Sequence, residues 1–104
     1  MIILQSVQIG GKTFQPDDER EALALQDAHT QWREAVKAID TFAQGIYADA
    51  DSSEDAENQI TELVQEVATE IPAAAEDRGV HHYSDRLLTA AKDALYDRAE
   101  KLRQ

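Results

Sequence analysis

The sequence predicts a mostly α-helical single domain, an N-terminal β-hairpin followed by a three-helix antiparallel bundle. Three observations carry this. A Gly-Gly pair near the start joins two short alternating segments; apolar residues then recur every three or four positions in three later segments; Ser, Asp, Pro and Gly mark the boundaries. The 104 residues suffice for one core, because two units of about 50 residues would each bury too little surface to be stable alone.

The hairpin is expected within residues 1–15. Gly10-Gly11 supplies the positive φ that a type I′ or II′ turn requires. That turn sets the register: Ile9 opposite Lys12, Gln8 opposite Thr13 and Val7 opposite Phe14, so that Val7 and Phe14 form an apolar pair on one face. A lone hairpin is marginal in water and must lie on the helices or pair with another chain through its edges.

The first helix is expected over residues 17–47. Asp17, Asp18 and Glu19 supply cap carboxylates, and Glu21 stands three places after Asp18 as in a capping box. Leu25, Ala28, Trp32, Ala35, Ile39, Phe42 and Ile46 then step by alternating threes and fours. Leu25, Trp32, Ile39, Phe42 and Ile46 are accordingly expected to form a core or dimer seam.

The second helix is expected over residues 53–71, capped by Ser52 or Ser53, with Ala56, Ile60, Leu63, Val64, Val67 and Ile71 inward. Pro72 disfavours helix at the residue before it and is expected to end the element, leaving at most two further turns closed by Gly79. The third helix is expected over residues 84–103. Ser84 serves as its N-cap, Leu87, Leu88, Ala91, Leu95, Ala99 and Leu102 form its apolar face, and Lys101 and Arg103 sit at the favourable end of its dipole.

The core is thin. The composition is 42% hydrophobic, but 17 of those residues are Ala, which leaves 27 larger apolar or aromatic side chains. Self-association through the long first helix or the hairpin edge is the expected compensation. With no Cys there is no disulfide, no thiolate zinc site and no cysteine nucleophile, which fits a reducing cytoplasm. The opening residues lack a basic stretch ahead of their short apolar run, and nowhere do 18 apolar residues follow one another, so a cytoplasmic location is expected rather than secretion or membrane spanning.

Charge is the most informative feature. The net charge is −11, and residues 49–78 alone carry −9 while residues 79–104 carry +1. Asp55, Glu62, Glu66 and Glu70 are expected to lie opposite the Ile60, Leu63, Val64 and Val67 stripe, as an outward acidic ridge. Like charges four apart destabilise a helix by roughly 0.2–0.5 kcal/mol per pair, so helix stability alone does not favour Glu62, Glu66 and Glu70. A solvated face that maintains solubility accounts for such a ridge; so does a binding surface for a basic protein. Direct binding to nucleic acid or to an anionic membrane is disfavoured by sign.

Motifs for chemistry are weak. Asp51, Ser53, Asp55, Glu57 and Glu62 echo the spacing of an EF-hand loop, but Ala56 stands where Gly makes the turn, and a capped helix start is the simpler reading. His81 and His82 are adjacent and so point apart. His29 reads as a core-edge residue. No HExxH, P-loop, nucleophile elbow, GxGxxG or EExxE cluster occurs.

The sequence therefore points to a binding protein with no catalytic residues, no metal site and no cofactor. Asp55, Glu62, Glu66 and Glu70 are its expected contact residues. The leading expectation is an inhibitor that blocks a basic nucleic-acid-binding surface by mimicry, of the kind phages use against host defences. An assembly module of a larger complex is the alternative, and a metal-dependent helical hydrolase is a distant third.

Overall fold

A computed structural model describes residues 4–103. The hairpin comprises β1 (Val7–Ile9) and β2 (Lys12–Phe14), and three helices follow: α1 (Glu19–Asp49), α2 (Ser53–Glu76) and α3 (Ser84–Arg103). This is the predicted class. Residues 1–3 of the expected hairpin lie outside the described residues.

The hairpin has the predicted register, Val7 with Phe14, Gln8 with Thr13 and Ile9 with Lys12. Of the two turn glycines only Gly10 has positive φ, 62°, so the turn follows the type II′ pattern in which the first central residue alone has positive φ. The ribbon lies on the helices. Ile9 is fully buried and Phe14 nearly so, whereas Val7, expected to share the apolar face equally, is only half-buried. A Cβ on Gly10 would stand 2.5 Å from Ala94 Cβ and 3.2 Å from the Ala90 carbonyl oxygen, so the turn docks directly on the α3 backbone.

α1 begins where the acidic run predicts. Asp18 accepts the Glu21 N–H at 2.8 Å, and Glu21 Oε1 accepts the Asp17 N–H at 3.4 Å. The helix runs up, α2 down and α3 up again. Arg20, near the start of α1, meets the end of α2, while Arg98 of α3 meets Asp40 of α1 and Arg103 meets Glu57 of α2. The result is elongated, 54 × 21 × 17 Å, as a helix of 31 residues requires at 1.5 Å of rise per residue.

Between the helices the core is Ala-rich. Ala28, Ala35, Ala43, Ala68, Ala75, Ala91 and Ala99 interleave with Leu25, Ile39, Val64, Ile71, Leu87 and Leu95, all essentially without solvent contact. Small side chains permit close helix approach and leave few large groups to bury. No helix among the described residues is long and apolar enough to cross a membrane.

Three expectations are corrected. Pro72 does not end α2; it lies inside the helix, which continues to Glu76. Proline removes one backbone donor and crowds the carbonyl four residues earlier, yet Ile71, Pro72 and Ala75 are all buried, so tertiary packing outweighs the local preference. The helix ends in a Schellman motif: Gly79, φ 80°, donates to the Glu76 carbonyl at 2.8 Å, and Val80 donates to Ala75 at 3.1 Å.

Phe42 is not a core seam residue; it is 56% exposed, whereas Leu25 and Ile39 are fully buried and Trp32 and Ile46 half-buried. A strict seven-residue repeat drifts about 20° per heptad on an α-helix. Phe42 lies two heptads beyond the buried Ala28, and the drift carries it out of the interface. Ser84 is not the cap of α3 but its first helical residue; the Tyr83 carbonyl accepts the first helical bond, from Leu87 at 2.8 Å.

Candidate interaction face

Several acidic residues are engaged within the chain. Asp40 accepts both Nε and Nη2 of Arg98 at 2.6 and 2.7 Å, which holds its carboxyl below the usual carboxylate range. Asp27 pairs with Arg78, and Glu57 lies 3.6 Å from Arg103. Glu21 accepts from the Tyr83 hydroxyl at 2.8 Å. Glu62, Glu66 and Glu70, by contrast, are exposed on α2 and have no cation partner among the described residues.

Asp55 has a different job. Ser52 caps α2 by accepting the Asp55 N–H at 3.0 Å, and the Asp55 carboxylate accepts the Asp51 N–H at 3.3 Å and the Gln59 side-chain amide at 3.0 Å. It completes a helix start and is half-buried, so it stands apart from the three glutamates. Because α2 is helical from Ser53 onward, the residues at EF-hand-like spacing form no loop.

The ridge also sits differently from the expectation. It does not lie opposite the whole apolar stripe, because at about 100° per residue Glu66 and Glu70 fall on the same side of α2 as Leu63. Glu66 lines a shallow groove together with Leu63 and Val67 of α2 and Ala38, Phe42, Gly45 and Ile46 of α1, with Asp49 at one end. Ile60 and Val64 are the buried stripe; Leu63 and Val67, half-buried, form its outer margin beside the glutamates. A Cβ on Gly45 would meet nothing within 4 Å, so the groove is open above that residue. Sequence periodicity assigned Phe42 to the interior and so missed this groove. The drift of its seam was the signal that could have found it.

A second polar cluster joins the hairpin exit to α1 and α3. The Tyr83 hydroxyl lies 2.8 Å from Glu21 Oε1 and 3.0 Å from the Gln15 carbonyl, and the ring packs edge-on against Phe14 with centroids 6.0 Å apart. Burial first, and then the bond to Glu21, push the phenol up to about 12. His82 Nε2 lies 3.4 Å from the same carboxylate, while His81 faces Glu76 at 3.8 Å. The two imidazoles thus serve different carboxylates, as their adjacency implied. Arg20 donates to the carbonyls of Arg78 and Gly79 at 3.0 and 3.1 Å and secures the end of α2. These contacts tie the hairpin exit, the start of α1, the end of α2 and the start of α3 to one another.

No group of three or more His, Asp or Glu among the described residues is placed to hold a metal ion. Compared with protein-family models, curated proteins and solved structures, the chain matches none.

Proposed function

We propose that this chain is a non-enzymatic acidic interaction protein whose α2 ridge binds a basic surface on a partner protein. The observation that carries the proposal is the row of Glu62, Glu66 and Glu70, exposed at four-residue spacing on α2 without a cation partner among the described residues, whereas Asp27, Asp40 and Glu57 have arginine partners within the chain. A row of like charges opposes helix formation. Its presence is accounted for if an external cation relieves the repulsion.

A basic protein surface is the partner this reading calls for, and blockade of a nucleic-acid-binding groove by mimicry is one instance of it.

The test is capture of partners from lysate of the source cell at graded salt, with wild type and the Glu62→Lys, Glu66→Lys, Glu70→Lys triple variant. Basic partners that dissociate as salt rises, and that the folded triple variant fails to capture, are the expected result. Retention of the same partners by the triple variant at physiological salt would leave the ridge a solvated face. The assembly-module reading draws its support from the exposed Phe42 and predicts partners insensitive to salt.

A further inference from the structure

Phe42 and Leu23 are the large hydrophobic residues that stand exposed among the described residues, at 56% and 40%, and Phe42 is the one that sits in the α1/α2 groove. Phe42, Ile46, Leu63 and Val67 form an apolar strip, and Asp49 and Glu66 line the same groove. Ile46, Leu63 and Val67 are half-buried against the core, whereas Phe42 takes no part in it. The flanking carboxylates restrict what can cover them.

We infer that this groove takes a basic amphipathic helix from a partner protein, with apolar side chains seated on Phe42, Ile46, Leu63 and Val67 and Lys or Arg side chains reaching Asp49 and the glutamate ridge. The inference rests on the acidic-interaction reading and adds an apolar anchor to it. Three physical arguments select this occupant. A furrow between two antiparallel helices accepts a third by ridge-and-groove packing, and both walls are helical, so no strand edge is offered for an extended peptide. The groove runs along Ala38–Asp49 of α1 and Gln59–Val67 of α2, roughly 12–17 Å at 1.5 Å per residue, which suits two to three turns of helix. A second copy of this chain is disfavoured, because residues 49–78 carry −9 and would oppose themselves across a two-fold axis.

Gly45 gives a clean perturbation. A side chain there enters open space on the groove side and improves helix propensity, so Gly45→Gln obstructs the groove without removing a carboxylate or a core contact. The probes are three synthetic peptides: a 14-residue Leu/Lys helix with Leu at positions i, i+4, i+7 and i+11, a scrambled isomer of the same composition, and oligolysine of equal charge. Affinities are measured by titration, and chemical-shift changes locate the contact.

The amphipathic peptide is expected to bind at least tenfold more tightly than its scrambled isomer and to shift Phe42, Ile46, Leu63 and Val67. Gly45→Gln and Phe42→Ser are each expected to weaken it at least fivefold while oligolysine affinity stays unchanged. Equal binding of the two isomers, or indifference to both groove variants, overturns the groove proposal even where oligolysine binding depends on Glu62, Glu66 and Glu70. Conversely, amphipathic binding that survives the triple Glu→Lys variant keeps the groove and refutes the ridge. Sedimentation showing a wild-type dimer at tens of micromolar that Phe42→Ser dissociates assigns the groove to a second copy and also overturns the proposal. Circular dichroism of every variant reports that the helices persist.

Discussion

Replacing Gly10 by Ala tests how the hairpin is anchored. Two separate penalties are expected. The residue has φ 62°, where an L side chain is disfavoured by roughly 1–2 kcal/mol. Its new Cβ would also stand 2.5 Å from Ala94 Cβ and 3.2 Å from the Ala90 carbonyl oxygen. Neither neighbour is the end of a flexible side chain, so the turn must lift from α3, which by analogy with overpacked cores adds about 1–3 kcal/mol. Together these come to about 2–5 kcal/mol. At roughly 4–8 °C per kcal/mol for a domain of this size, Tm should fall by at least about 8 °C. Gly11 is the internal control: it has neither positive φ nor a neighbour within 4 Å of a Cβ, and Gly11→Ala should be neutral or slightly stabilising through the unfolded chain. Urea titration of Gly10→Ala, Ala94→Gly and the double variant isolates the closest contact, because Ala94→Gly removes the Cβ at 2.5 Å and leaves the backbone penalty and the Ala90 carbonyl in place. A Gly10→Ala protein as stable as Gly11→Ala, or a double variant with no favourable coupling, would refute the docking geometry.

Two further predictions concern the core and the Tyr83 joint. Ile39→Ala should destabilise by about 2–5 kcal/mol, because Ile39 is fully buried, whereas Phe42→Ala, at 56% exposure, should change stability by less than about 1 kcal/mol; equal losses in denaturant titration would return Phe42 to the core. Because the folded phenol of Tyr83 is raised to about 12 from 10, its contribution is present in full below pH 10 and is lost as pH climbs toward 12, a decline of at most about 3 kcal/mol. Tyr83→Phe should be less stable than wild type at pH 7, and the gap between the two should close across that window; a gap that stays constant from pH 9 to 12 would refute the rise that burial and the bond to Glu21 give the phenol.

What the sequence determined by itself is local. The hairpin register follows from a two-residue turn and strict alternation, the caps at Asp18 and Ser52 from side chains that satisfy amides three residues away, and the closing turn at Gly79 from the left-handed conformation only glycine adopts freely. Each depends on atoms within a few residues, so residue types suffice to specify it. The tertiary structure decided the rest. Pro72 stays helical because its neighbours are buried, Tyr83 and Arg20 find partners about 60 residues away, and Phe42 turns outward because the buried stripe on α1 is defined by where α2 and α3 lie. Glu66 likewise borders a groove that only the pairing of α1 with α2 creates. Periodicity tells which residues share a side of one helix, but the angular limits of that side are set by the helices packed against it.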